Sequence, residues 1–182
     1  MVKIKAKLSS SSINDTIAKL NKLKKELVAL EDTLPKELAE QTSQKIEDFY
    51  SQKGFESTTT PMIGVAKYGD GYKAFARGSE VIYEEFGTGD VGANNGHPWK
   101  GDYGLNPYNS GRTIRSTEKL SPEKKAEHNI QSGLYWTFKR DGKKIYTQGI
   151  PSGKFMYNAD LWLKDNYKKI AIKKVDDILS KL

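Results

Sequence analysis

The spacing of apolar positions changes along this chain, and each change marks an element. Val2, Ile4 and Ala6 alternate with Lys3, Lys5 and Lys7, the period-2 pattern of a half-buried strand. Its lysines would protect an exposed edge. Ser9 to Ser12 read as a small linker with Ser12 as a helix N-cap. From Ile13 the period lengthens. Ile13, Leu20, Leu27 and Leu34 recur at heptad spacing, with Leu23 and Leu30 between them, which predicts a helix over 13–32. That stripe suits either an oligomer-forming helix or an amphipathic helix packed on its own domain. About two clean heptads are present where three or four mark a coiled coil. Pro35 breaks or kinks the pattern, or sits in the first turn of a second helix. Leu38, Ala39, Thr42, Ile46 and Phe49 continue an apolar face towards Lys53, with Gly54 as C-cap. A helix hairpin and one kinked rod both satisfy this pattern.

Short alternating runs follow. Met62–Tyr68 and Tyr72–Arg77 flank Asp70-Gly71 and predict an antiparallel hairpin. Val81–Phe86 fits one or two helical turns, with strand as the alternative. Residues 87–133 are rich in Gly, Asn and Pro and form a long insertion or arm. Within it, Ser121-Pro122 opens a short helix to about Gln131. Leu134–Phe138 and Lys144–Gln148 flank an Asp141-Gly142 turn and predict a second strand pair. Ala159, Leu163, Tyr167, Ile170, Lys174, Ile178 and Leu182 then mark one mostly apolar face of a terminal helix over 155–181. The pattern implies one α+β domain over 1–182. Its expected architecture is an antiparallel sheet of about four to five strands, packed with a long N-terminal helical region (13–53) and a C-terminal helix.

Composition narrows the chemistry. A chain of 182 residues can bury roughly two-thirds of its unfolded surface. There is no cysteine, hence no disulfide and no thiolate ligand or nucleophile. Lysines and serines rather than an apolar run follow Met1, so no secretory leader is expected, and no stretch is apolar enough to span a membrane. The net charge of +7 is spread thinly, at +2 over 1–53, +2 over 54–160 and +3 over 161–182. A diffuse excess of this kind suits a solvated surface better than a clustered nucleic-acid footprint.

No motif asks for catalysis. Gly87-Thr88-Gly89-Asp90-Val91-Gly92 matches Gly-x-Gly-x-x-Gly but opens onto Ala93-Asn94-Asn95-Gly96-His97-Pro98, which is no helix start, and no βαβ unit surrounds it. His97 and His128 are the only histidines, against the three ligands of a hydrolytic zinc site; Asp90 and Asp102 lie near His97 in sequence, but His97-Pro98 reads as ordinary loop. Glu84 and Glu85 are adjacent and diverge on a helix or a strand, which makes them a poor acid–base pair. No cofactor or metal is expected. Arg112, Arg115, Lys119, Lys124 and Lys125, with Tyr103 and Tyr108, offer the alternative of a basic nucleic-acid-binding accessory protein. Trp99, Tyr103 and Tyr108 on a long arm fit protein–protein contact better, since aromatics concentrate in interface hot spots.

Tyr83-Glu84-Glu85-Phe86-Gly87-Thr88-Gly89, followed far downstream by a Gly/Pro turn and Lys154-Phe155-Met156-Tyr157-Asn158-Ala159, resembles the tail-component family of long-tailed phages. Members commonly read Tyr-Ala-x-(Val/Tyr)-x-Glu-Phe-Gly-Thr in the middle and Pro-Arg-Pro-Phe-(Leu/Met)-x-Pro-Ala near the end. Here Lys154 and Asn158 stand where that second block has its prolines, and the 90–133 excursion is long for the family. The resemblance covers about two-thirds of the chain in element order. It implies a non-enzymatic virion protein of the head–tail junction, made in the bacterial host cytoplasm. Such a tail-completion or neck subunit would be one copy of a ring, typically six-fold, that contacts phage neck and tail proteins. DNA contact would be secondary and no membrane is involved. Under this reading Phe86, Thr88, Trp99, Tyr103 and Tyr108 are candidate interface residues, Gly87 and Gly89 shape the turn, and Phe155 and Trp162 anchor the core.

Overall fold

The computed structural model describes residues 9–55, 60–88, 91, 97–99, 121–127, 136–140, 142–147 and 149–181. The elements in chain order are α1 (Ser10–Ser51), β1 (Met62–Tyr68), β2 (Gly71–Arg77), α2 (Val81–Phe86), α3 (Pro122–Glu127), β3 (Trp136–Arg140), β4 (Lys143–Thr147) and α4 (Phe155–Leu179). The expected strand at 2–7 lies outside the described residues.

The N-terminal region is one continuous helix of 42 residues that passes through Pro35. Pro35 removes the bond its N–H would give to Glu31, a defect of about 3 kcal/mol in a helix interior. The Leu-, Ala-, Lys- and Glu-rich flanks are strong helix formers and carry the helix across it. The cap is Ser9, not Ser12: Ser9 Oγ accepts from the Ser12 N–H at 3.3 Å and the Ser9 carbonyl from Ile13 N at 3.0 Å. At the far end Gly54 takes φ 59°, the left-handed conformation expected of a C-terminal glycine.

The class is α+β, but the expected sheet of four to five strands is overturned. Among the described residues the strands form two separate two-stranded sheets, β1–β2 and β3–β4. In the second, Trp136 lies opposite Thr147 and Arg140 opposite Lys143 in antiparallel register. Each pair is closed by a short turn with a positive-φ glycine, Gly69 (58°) and Gly142 (78°). Alternation and turn chemistry specify a hairpin locally, but carry no information on which strand edges join one hairpin to the next.

Contacts gather the chain into two units. One comprises the described residues of Met1–Gln44, Gly64–Phe75 and Asp160–Leu182; the other comprises those of Lys45–Ile63 and Ala76–Ala159. In the first unit α1 meets α4 through Lys174 Nζ to Glu37 Oε2 at 2.8 Å, and Lys22 Nζ donates to the Lys181 carbonyl at 3.4 Å. Leu23, Leu30 and Leu34 are half-buried there, whereas Ile13, Leu20 and Leu27 are exposed. The heptad-spaced series is therefore covered along one edge only. In the second unit Ile46, Val81, Phe86, Phe155 and Ala159 are buried, Phe155 and Ala159 completely. The Phe155 ring meets Tyr50 edge-on at 5.1 Å and Phe55 at 6.4 Å, distances typical of favourable aromatic pairs. Among the described residues no helix is long and apolar enough to cross a membrane.

Candidate functional site

The site is built on α2. Val81, Glu84 and Glu85 fall at i, i+3 and i+4, so they share one side of this short helix, and all three are buried. Burying two carboxylates in adjacent positions is costly unless each finds donors. They diverge to separate partners. Glu84 Oε1 accepts from the Tyr50 hydroxyl at 3.0 Å.

Glu85 reaches the start of α4. Its Oε2 accepts from Met156 N and its Oε1 from Tyr157 N, each at 3.0 Å. The first bond inside α4 runs from Asn158 N to the Lys154 carbonyl at 2.9 Å, so Lys154 is the residue at the N-cap. Lysine has no acceptor to serve the first-turn amides. Glu85 supplies from α2 what Ser, Thr, Asp or Asn supplies locally elsewhere. Its negative charge also lies at the positive end of a 25-residue helix, an arrangement worth up to about 2 kcal/mol when shielded from water.

His97 closes the arrangement. Its Nε2 is 2.7 Å from Glu85 Oε1, and its Nδ1 accepts from Trp99 N at 3.1 Å. Since Nδ1 is the acceptor, Nε2 carries the ring hydrogen and donates it to the carboxylate, the tautomer this network assigns. The imidazole is buried among rings, 4.4 Å from Phe86, 5.7 Å from Trp99 and 5.6 Å from Tyr157, centroid to centroid.

Main-chain bonds complete the join. The Glu85 carbonyl accepts from Ser152 Oγ at 2.7 Å and Lys154 N at 3.2 Å, and the Glu84 carbonyl from Gly153 N at 2.8 Å. Thr88 N donates to the Ile150 carbonyl at 2.9 Å, and Ile150 N to Thr88 Oγ1 at 3.2 Å. Residues 84–88 and 150–157 are thus laced together. The Glu85 side chain, 3% exposed and with its carboxylate holding three donors, is committed to this lacing and turned away from solvent.

The expected site residues distribute as follows. Gly87 ends α2 at φ 75°, a conformation glycine adopts without penalty, as the turn requires. Thr88 is half-buried in the lacing. Phe86 is buried against His97, and Trp99 is half-buried with its ring 5.3 Å from Tyr157. Phe155 is a core residue with no exposure, and Trp162 is half-buried on α4. Gly89, Tyr103 and Tyr108 lie outside the described residues, as do Asp90, Asp102, Arg112, Arg115, Lys119 and His128. Lys124 and Lys125 fall on α3. Among the described residues no group of three or more His, Asp or Glu is placed to hold a metal ion.

Sequence reasoning set His97 aside as ordinary loop and passed over Glu85 as half of a poor dyad. One signal pointed to Glu85: a long helix that opens on Lys-Phe-Met, with no capping side chain of its own. No such signal marked His97. Comparison with protein-family models, curated proteins and solved structures finds no match to this chain.

Proposed function

We propose that this chain is a non-enzymatic structural subunit of the head–tail junction of a long-tailed phage, a tail-completion or neck protein. The observation that carries the reading is the joining of the two blocks that resemble the tail-component family. Glu85, inside Tyr83–Gly89, caps the helix opened by Phe155-Met156, so the two blocks work as one frame. A family whose members have these blocks in common would need them for a shared scaffold, and here they form one. The burial of Glu85 and His97 inside that frame favours a load-carrying role over acid–base work, which needs a carboxylate or imidazole within reach of a substrate proton.

In this reading the subunit is one copy of a ring between the head and the tail tube, made in the host cytoplasm and carried in the virion. Its neighbours are neck and tail proteins. Contacts that repeat by rotation and close generate such a ring. Trp99, half-buried beside Tyr157, is the described aromatic of the proposed contact set, and with Tyr103 and Tyr108 of the same sequence segment it is the proposed grip on a neighbour.

The test is deletion of the coding sequence from the phage that carries it, with the protein supplied from a plasmid in a parallel culture. Electron microscopy of the deletion lysate should show filled heads and free tails that do not join, with joined infectious particles restored by the plasmid. Normal joined particles in the absence of the protein would overturn the reading.

A further inference from the structure

Both nitrogens of the His97 ring are engaged in a way that only the neutral ring permits. Nε2 donates to Glu85 Oε1 at 2.7 Å, and Nδ1 accepts from Trp99 N at 3.1 Å. The side chain has no exposure, so each nitrogen depends on the partner it has. Among the described residues the titratable groups against the ring are the Glu85 carboxylate from α2 and the phenol of Tyr157 from α4, whose ring lies 5.6 Å away. Phe86 and Trp99 contribute rings without charge.

We propose that His97 is an acid-operated latch on the main chain at Trp99. Histidine is the side chain whose charge changes between about pH 5 and 8. Protonation adds a hydrogen at Nδ1, and both ring nitrogens are then donors. The two sides of the ring respond in opposite ways. On the Nε2 side the bond to Glu85 gains charge assistance, and the carboxylate compensates the buried cation. The ring therefore stays in place, and Glu85 goes on accepting from Met156 N and Tyr157 N. On the Nδ1 side a donor now faces the Trp99 N–H, which leaves two buried donors without an acceptor. The main chain at Trp99 must turn away. Acid thus frees residue 99 from the frame made by 84–88 and 150–157, while the frame itself holds. The latch rests on the hydrogen bonds of one ring and is independent of the head–tail reading.

Nitrogen-15 NMR of the full-length chain tests it. His97 and His128 are the only histidines, so comparison with His128→Gln assigns the His97 ring signals. At about pH 8 those signals should place the ring hydrogen on Nε2. As the pH falls towards about 5 the ring should take up its second proton. With the same midpoint the Trp99 amide should move upfield and exchange at least about tenfold faster relative to its intrinsic rate, while the Met156 and Tyr157 amides keep their protection. His97→Asn places an acceptor oxygen two bonds from Cβ, where Nδ1 stands, and cannot take up the proton. Its Trp99 amide should stay bonded at both ends of the range; should that variant not fold, the wild-type titration decides alone. A ring hydrogen on Nδ1 at about pH 8, or a ring that stays neutral until the chain unfolds, overturns the proposal. So does a Trp99 amide that is unchanged while the ring titrates, or a loss of the Met156 and Tyr157 protection in the same step.

Discussion

Glu85 Oε2 and the Met156 amide nitrogen lie 71 positions apart in sequence and 3.0 Å apart in space. The Tyr157 amide reaches the other oxygen of the same carboxylate at the same distance. One buried side chain thus caps the terminal helix and fixes where that helix begins. Glu85→Gln keeps the size of the side chain but turns one acceptor into a donor facing a donor. The expected outcome is a loss of about 1–3 kcal/mol in unfolding free energy, read from the urea midpoint at constant m. Glu85→Ala should cost more, because it leaves the two amides and His97 without their acceptor and opens a void.

Gly153 tests how tightly the two segments meet. A Cβ at this position would lie 2.6 Å from the Glu84 carbonyl oxygen and 2.6 Å from Phe55 Cζ. The carbonyl is main chain and already accepts from Gly153 N, so it cannot move aside cheaply. Gly153→Ala should therefore destabilise by about 1–3 kcal/mol, the usual range for overpacking. A thermal midpoint within error of wild type would show that the approach is looser than described.

Lys154 holds φ at 54°, the one positive φ of a residue other than glycine among those described. The left-handed conformation costs an L-residue roughly 1–2 kcal/mol. Lys154→Gly removes that strain at some cost in unfolded-chain entropy, and the net change should lie between neutral and about 1 kcal/mol of stabilisation. Lys154→Val, β-branched at the same φ, should destabilise clearly. If valine and glycine behaved alike, this position would not be held in the left-handed region.

What the sequence made legible was local. The hairpins, α2, the glycine corner at Gly87 and the start of α4 at Phe155 all follow from spacing and turn chemistry. Pro35 was ambiguous because one missing hydrogen bond can be absorbed by strong helix formers on either side. The sheet was misread because strand patterning does not encode which edges meet. The Glu85 cap was hidden for a related reason: adjacent carboxylates are ordinary on a surface, and only the distant, capless start of α4 distinguishes this pair. His97 followed Gly96 in a run of loop residues and gave no sign of burial.

The contribution of His97 can be separated from general packing. His97→Ala removes the donor to Glu85 and the ring between Phe86 and Tyr157. Combined with Glu85→Gln in a double-mutant cycle, it should reveal a coupling of about 0.5–3 kcal/mol, as expected of residues in direct contact. Additive losses within about 0.3 kcal/mol would mean that the 2.7 Å contact does not couple the two side chains.

The claim on which the rest stands is that Glu85 is a structural cap. Hydrogen exchange of the Met156 and Tyr157 amides, compared between wild type and Glu85→Gln under conditions where both are folded, tests it most directly. First-turn amides have no partner within their own helix, so protection there must come from outside it. The account predicts that both amides are protected in the wild type, that at least one of them loses most of that protection in Glu85→Gln, which keeps a single acceptor oxygen, and that amides in the middle of α4 change little. Fast exchange of both amides in the wild type, or undiminished protection of both after the substitution, would contradict it.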